Sequence, residues 1–293
     1  MSHHSTLITH HPSFAFFGTD EFAVTVLETF WKKGMIPTLI VTTPDKPKGR
    51  NLVLTPPPVK IWAKNHDIEI LQPDNLKDPE FTYQLKAISY KLFIVASYGK
   101  IIPKEIFEMP RYKTLNIHPS LLPKLRGSSP VATAILKNLK NTGVSIMQID
   151  EKMDHGPILA QKEMNISEWP KRSELEQKLA NIGAELLVEI LPLYTNGTLK
   201  PVFQDETLAT YSEKLKKEMG EIDLRGDPYE AFLKIQAFDG WPGAFAYFDH
   251  AGQKIRVVIT EVKFVEGKLE IQKVLPQGKK EMSFEDFKRG LRS

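Results

Sequence analysis

Asn116 and His118 are the two residues whose types and spacing most suggest chemistry. They stand two positions apart in the stretch Leu115–Gly127, so on an extended strand both side chains project from the same face. Pro119 restricts His118 to extended backbone and removes a ladder donor, which predicts that the strand ends at His118. Open α/β sheets carry their sites at such strand ends. The structural alternative is a buried pair that hydrogen-bonds only to backbone.

This pair can supply both functions that acyl transfer to an amine requires. The amide of Asn116 can donate to the oxyanion of a tetrahedral intermediate, and the imidazole of His118 can hold or move a proton. The chain has no cysteine and no G-x-S-x-G motif, so we do not expect a covalent acyl-enzyme. A carboxylate beside His118 would orient its ring and keep it protonated. Three candidates follow the next predicted strand, and spacing alone does not separate them: Asp150, Glu151 and Asp154.

Length and composition indicate a globular chain without a membrane span. A chain of 293 residues, with 41% hydrophobic and 26% charged residues, is long enough for two domains. It has no apolar run of about 18 residues and no secretory apolar core, so we expect a cytoplasmic protein. The net charge of +3 is mild, so an RNA partner would have to be met by local patches. Without cysteine there is no disulfide or thiolate metal site, and we expect no metal.

The order of elements predicts an α/β fold, Rossmann-like, with a mostly parallel sheet. A strand over Ser13–Phe17, a turn at Gly18–Asp20 and a helix lead to a second strand over Thr38–Val41, which makes a βαβ unit. The strand and helix patterns then continue, and the apolar run Leu92–Ala96 is typical of a strand buried on both faces. The first turn holds a single glycine, so the dinucleotide fingerprint is absent and a nicotinamide cofactor is disfavoured.

Pattern and composition also predict the domain boundaries. The histidine-containing N-terminus lacks apolar periodicity and should be disordered. The last third of the chain alternates in short strands, which indicates a small β-barrel-like, OB-type domain. The predicted segments are a disordered terminus over 1–12, a catalytic domain over 13–197, a linker over 198–210 and a C-terminal domain over 211–293.

Motifs along nearly the whole chain beyond the first dozen residues resemble those of the methionyl-tRNA formyltransferase family. The Asn-x-His-x-Ser-Leu-Leu-Pro motif that begins at Asn116 indicates the folate-dependent formyltransferase superfamily, and the flanking motifs indicate the tRNA enzyme. The motifs are Phe17–Val24, Leu54–Lys60, Leu71–Pro73, Asn116–Pro123, Thr142–Gln148, Met153–Gly156, Trp241–Ala244 and Pro276–Met282.

The resemblance implies transfer of the formyl group of 10-formyltetrahydrofolate to the α-amine of methionine on initiator Met-tRNA, in a monomeric enzyme. Asn116 and His118 would hold the formyl oxygen, while Asp154 would orient His118 and relay the proton of the amine. The folate would contact the loops that follow the two strands, at Ser120, Leu121, Leu122, Pro123 and Asp150. The tRNA would contact basic residues of the proline-rich insertion 42–60, namely Lys46, Lys48 and Arg50.

The chain departs from the family at two places that concern tRNA. After Arg50 the family continues with glycine and lysines, whereas this chain has Asn51-Leu52-Val53, which removes phosphate-attracting charge. The C-terminal domain is also short by about a hairpin between Thr260 and Lys268, which predicts an incomplete barrel. Three alternative functions stay open: an amino-sugar nucleotide N-formyltransferase, a formyltetrahydrofolate hydrolase, and a catalytically idle RNA-binding module.

Overall fold

The structure, a computed structural model, describes residues 11–48, 52–250 and 252–291. Its chain divides into two compact units, each made of separate segments. The first unit comprises Met1–Arg126, Gly143–Glu163 and Gln177–Thr210, and the second comprises Gly127–Thr142, Met164–Glu176 and Tyr211–Ser293. The predicted domains are a different division of the chain, and they stay a prediction.

A seven-stranded sheet forms the centre of the first unit in the described part of the chain. Its strands are β1 (Phe14–Gly18), β2 (Leu39–Val41), β3 (Glu69–Leu71), β4 (Leu92–Ala96), β5 (Thr114–His118), β6 (Asn141–Gln148) and β7 (Ile158–Asn165). Their spatial order is β7-β6-β5-β4-β1-β2-β3, in which each neighbouring pair among β5, β4, β1, β2 and β3 runs parallel, and β5 and β6 run antiparallel. The predicted Rossmann-like fold is therefore confirmed.

The helices of the described residues follow the periodicity of the sequence. Asp20 begins the first helix as its cap, because its carboxylate accepts from the backbone N–H of Ala23 at 3.3 Å. The helices are α1 (Glu21–Lys32), α2 (Pro58–Asn65), α3 (Pro79–Ala87), α4 (Lys104–Phe107), α5 (Pro130–Leu136), α6 (Arg172–Thr195), α7 (Pro228–Ala237) and α8 (Phe284–Leu291), with 3₁₀ turns over Glu206–Leu208 and Lys217–Gly220.

The central strands of the first unit are fully buried. All residues of β1 and β4 are inaccessible or nearly so, which explains why both read as continuous apolar runs. In α6, Gly183 lies against β5: a Cβ atom built there would stand 2.5 Å from the side chain of Ile117. This close approach fixes the long helix on the strand that carries Asn116 and His118.

The proline-rich insertion of the first unit folds as a short antiparallel ribbon, Lys46–Lys48 with Val53–Thr55. Its base is held by Asp45, which accepts from the Lys60 ammonium at 2.8 Å and from the Gln72 amide at 2.8 Å. These two hydrogen bonds, that of Gln72 foremost, lower the pKa of Asp45. Two separate motifs of the resemblance, one with Lys60 and one with Gln72, therefore meet at one carboxylate.

The second unit contains a four-stranded antiparallel sheet with the strands β8 (Phe245–His250), β9 (Gln253–Val265), β10 (Lys268–Pro276) and β11 (Met282–Ser283). Their spatial order is the chain order, β8-β9-β10-β11. The unit also holds the short strand Tyr211–Ser212. β9 turns directly into β10 through Glu266 and Gly267, both in left-handed backbone. The sheet agrees with the predicted small barrel-like domain.

Candidate active site

Strand β5 delivers the predicted pair to one edge of the sheet. The strand ends at His118, and its register pairs Asn116 with Val95 of β4 and His118 with Ser145 of β6. His118 is only 4% exposed, whereas Asn116 is half-buried. Both side chains therefore stand at the carboxyl end of a buried strand, as the Pro119 argument predicted.

Asp154 is the carboxylate that meets this pair. Its Oδ1 atom lies 3.5 Å from the amide Nδ2 of Asn116 and 3.6 Å from the Nδ1 atom of His118. Asp150 instead accepts from His155 Nδ1 at 2.5 Å, and Glu151 forms an ion pair with Lys104. The geometry thus separates three acidic residues that spacing could not.

The imidazole of His118 has one nitrogen committed and one facing the carboxylate. Nε2 lies 3.1 Å from the carbonyl oxygen of Leu125, and since a carbonyl can only accept, Nε2 carries a proton. Nδ1 is then the atom at which a second proton binds or leaves, and it faces Asp154. Asn116 Nδ2, His118 Nδ1 and Asp154 Oδ1 thus lie together at one strand end, where an amide donor, an imidazole and a carboxylate have the chemistry to bind an oxyanion and move a proton.

The backbone at Asp154 has an unusual conformation. Its φ angle is 50°, in the left-handed region that costs a non-glycine residue about 1 kcal/mol or more. Two residues later the chain passes so close to β6 that a Cβ atom on Gly156 would stand 2.0 Å from the carbonyl oxygen of Gln148. The loop is therefore turned sharply back towards β5, which is what points the carboxylate at His118.

Hydrogen bonds from serine and glutamine side chains hold the loop that follows β5. The Ser120 hydroxyl donates to the Lys124 carbonyl at 2.6 Å, and the Ser145 hydroxyl accepts from the backbone N–H of Leu122 at 3.0 Å. Gln161 donates to Ser145 as well, at 2.7 Å. Ser120 and Leu122 are buried, while Leu121 and Pro123 are half-buried. The hydroxyl of Ser120 therefore shapes this loop.

A cavity of about 370 Å³ opens beside the Asp154 loop, within the usual size range of ligand pockets. Asp150 and His155 line it from that loop, but Asn116, His118 and Asp154 do not. Of the residues predicted to contact folate, Asp150 lines this cavity. The cavity wall mixes apolar and charged groups, including Phe107, Ile149, Lys104, Lys113 and Lys152.

Three residues of the site were missed by sequence reasoning: Arg126, Gln204 and Glu206. Arg126 is 1% exposed, and its guanidinium donates to Gln204 Oε1 at 2.8 and 3.0 Å and to both carboxylate oxygens of Glu206 at 2.7 and 3.0 Å. This pairing lowers the pKa of Glu206. The sequence offers one signal for Arg126, its position directly after the apolar Leu125. It offers none for Gln204 and Glu206, because their segment is predicted to be a linker.

The predicted tRNA-contacting residues belong to the ribbon. Lys46 is exposed on its first strand, Lys48 ends that strand, and Arg50 lies outside the described residues. Beyond the turn, Leu52 and Val53 are 70% and 62% exposed. The two apolar residues at which the chain departs from the family are therefore exposed to solvent.

Among the residues that the structure describes, no group of three or more His, Cys, Asp or Glu side chains could hold a metal ion. No helix in these residues combines the length and the apolar character that crossing a membrane requires.

Comparison with known proteins gives the family. A family model described as formyl transferase matches residues 13–191. Over 252 residues the chain is 42% identical to the methionyl-tRNA formyltransferase of Chloroflexus aurantiacus, a match that covers 86% of this chain and 81% of that protein. The chain belongs to the methionyl-tRNA formyltransferase family. The prediction of a formyltransferase enzyme is thereby confirmed.

Solved structures of low sequence identity share the fold. The methionyl-tRNA formyltransferase from Clostridium thermocellum has a TM-score of 0.62 at 17% identity, covering 90% of this chain and 98% of that one. HypX from Aquifex aeolicus, solved in complex with tetrahydrofolic acid, has a TM-score of 0.65 at 17% identity, covering 96% of this chain and 47% of HypX. Both matches concern the fold, which agrees with family membership.

Proposed function

We propose that this enzyme transfers the formyl group of 10-formyltetrahydrofolate to the α-amine of methionine on initiator Met-tRNA, by direct attack of the amine. The observation that carries the proposal is the convergence of Asn116 Nδ2 and His118 Nδ1 on Asp154 Oδ1. Transfer of a formyl group in water has no positioned donor for the oxyanion and no positioned base for the amine proton. An amide, an imidazole and a carboxylate at one strand end would supply both.

The proposed reaction has two steps around a tetrahedral intermediate. The amine nitrogen bonds to the formyl carbon, and the formyl oxygen becomes an oxyanion to which Asn116, and His118 when doubly protonated, donate. Asp154 receives the proton that the amine loses, directly or through one water molecule. The bond from the formyl carbon to the folate nitrogen N10 then breaks as the carbonyl re-forms, and N10 takes the proton that Asp154 received, which yields tetrahydrofolate, the formylated amine and the original carboxylate.

We propose that the folate lies along the loops that flank Asp154. Family membership and the tetrahydrofolate complex of the structural neighbour HypX support a folate donor. The cavity beside Asp150 has a suitable volume and an apolar wall at Phe107 and Ile149 for a flat heterocycle. The Ser120–Pro123 loop would supply the remaining contacts, chiefly through its backbone.

We propose that the tRNA acceptor end approaches the ribbon of Lys46, Lys48 and Arg50. The name of the Chloroflexus relative supports tRNA as the acceptor. Leu52 and Val53 are exposed and uncharged, whereas the family has lysines in this segment. Attraction of RNA phosphates to this ribbon should therefore be weaker than to a lysine-rich one. We further propose that the enzyme is monomeric and cytoplasmic.

The acceptor is tested by offering the enzyme each candidate substrate in a separate mixture. Purified enzyme is given 10-formyltetrahydrofolate with charged initiator tRNA, with uncharged tRNA, with an amino-sugar nucleotide, or with buffer alone, and formylated products and released formate are measured. We expect formyl-methionyl-tRNA and no product from uncharged tRNA. Formylation of the sugar alone would contradict the proposal, and formate released at the same rate in every mixture would indicate a hydrolase.

A further inference from the structure

We propose that Gln204 is a positioning residue that holds the Asp154 loop in its reactive conformation, and that buried Arg126 fixes the orientation of Gln204. This inference rests on the proposed role of Asp154. The side-chain amide of a glutamine can adopt two flipped orientations, which exchange Oε1 and Nε2, so the partners of Gln204 decide which atom faces the Asp154 loop.

The chemistry of its partners allows Gln204 one orientation. Its Oε1 atom faces the Arg126 guanidinium, which can only donate, at 2.8 and 3.0 Å. Its Nε2 atom faces the carbonyl oxygens of Asp154 and Gly156, which can only accept, at 2.9 and 2.8 Å. A flipped amide would set donor against donor and acceptor against acceptor, so both contacts would be lost together.

The two carbonyls that Gln204 binds enclose the strained turn. Asp154 has a φ angle of 50°, and Gly156 lies against the Gln148 carbonyl, so this backbone needs external support to persist. The Gln204 amide bridges the carbonyls on either side of His155. It therefore acts on the backbone that aims the Asp154 carboxylate, without touching the atoms that react.

A second contact ties the same loop to the same arginine. The Glu206 carboxylate accepts from Arg126 and also lies 3.3 Å from His155 Nε2. His155 Nδ1 in turn lies 2.5 Å from the carboxylate of Asp150. Arg126 thus reaches the loop by two routes, through Gln204 to the backbone and through Glu206 to a side chain.

The substitution Gln204→Glu isolates the positioning role. A glutamate keeps an acceptor for Arg126 but presents an oxygen, in place of Nε2, to the two carbonyls. Because small displacements of a reacting group are costly, we expect kcat to fall by about 10- to 100-fold while KM for the folate changes little. Gln236→Glu is the matched control, since Gln236 donates to the Trp169 carbonyl at 2.9 Å far along the chain.

The experiment is a double-mutant cycle on kcat, with circular dichroism and thermal unfolding on each variant. If Gln204 acts through Asp154, Gln204→Glu should change the residual rate of Asp154→Asn less than about twofold. Independent, multiplied losses would overturn the inference, as would a normal kcat for Gln204→Glu. Should Gln204→Glu not fold, Gln204→Met enters the same cycle. A normal kcat for Asp154→Asn would instead overturn the proposed function, so the two failures are distinguishable.

Discussion

The edge of the sheet beside Asp154 and the ribbon of Lys46–Lys48 and Val53–Thr55 differ in the exposure of their side chains and in how these are held. At the edge, His118 and Arg126 are nearly inaccessible, and each side chain has a partner dictated by donor and acceptor chemistry. On the ribbon, Leu52 and Val53 are mostly exposed, and the bonds that hold it are at its base. The side chains of the first region are held in fixed positions, whereas the second region presents exposed side chains to solvent.

This contrast teaches where substitutions should act. A change at the edge alters the position of a reacting group, so it should lower kcat. If the ribbon contacts tRNA as proposed, a change in its charge should act on tRNA affinity and on the dependence of that affinity on salt. A loss of kcat from substitutions on the ribbon, or a change of tRNA affinity alone from substitutions at the edge, would contradict this comparison.

The largest effect is expected at the edge itself. His118→Ala and Asp154→Asn should each lower kcat by about 10²-fold or more, because each removes oxyanion or proton-handling help. Steady-state formylation assays would measure this, with circular dichroism as the folding control. Turnover close to that of the parent enzyme in both variants would contradict the assigned roles.

A smaller effect is expected on stability from the buried arginine. Arg126→Lys keeps the charge but loses the planar fork that serves Gln204 and Glu206 together, so the free energy of unfolding should fall by about 1–3 kcal/mol. Denaturant unfolding would measure it. Arg289→Lys, in an exposed helical ion pair, is the matched control and should leave stability nearly unchanged. Equal losses in both variants would show that burial of Arg126 has no consequence.

The smallest effect is expected on the ribbon. Leu52→Lys combined with Val53→Lys should tighten tRNA binding at low salt and steepen its salt dependence, by up to about 0.9 in logarithmic slope for each lysine that neutralises a duplex phosphate. kcat at saturating tRNA should not change. The control adds the same charge elsewhere, at the exposed Ile36 and Ile88. An identical gain in the control would mean that the ribbon is not the contact.

Local rules predicted the strand end that carries the chemistry. Pro119 marked the end of β5, and alternation placed Asn116 and His118 on one face, so this part of the site followed from neighbouring residues. Spacing could not choose among Asp150, Glu151 and Asp154, because the choice depends on the left-handed turn at Asp154. The family resemblance implies Asp154, whose carboxylate lies 3.6 Å from His118 Nδ1, and its catalytic role stays a prediction.

The supporting network lay beyond any local rule. Arg126 and Gln204 are 78 positions apart, and polar residues in a segment without periodicity gave no sign of a buried partner. The sequence also did not predict the ribbon. Prolines in a run argue against a strand, so the insertion gives no sign that Lys46–Lys48 pairs with Val53–Thr55. Long-range pairing, and not local propensity, decides both features.

The central claim is direct transfer without a formylated enzyme, and one measurement tests it most directly. Enzyme is mixed with 10-formyltetrahydrofolate labelled in the formyl group, quenched in denaturant, and its mass and bound label are measured before and after charged initiator tRNA is added. We predict no label on the protein at any time and a single-exponential appearance of label on the methionine amine. Stoichiometric label on the protein that is then passed to the tRNA would contradict the account.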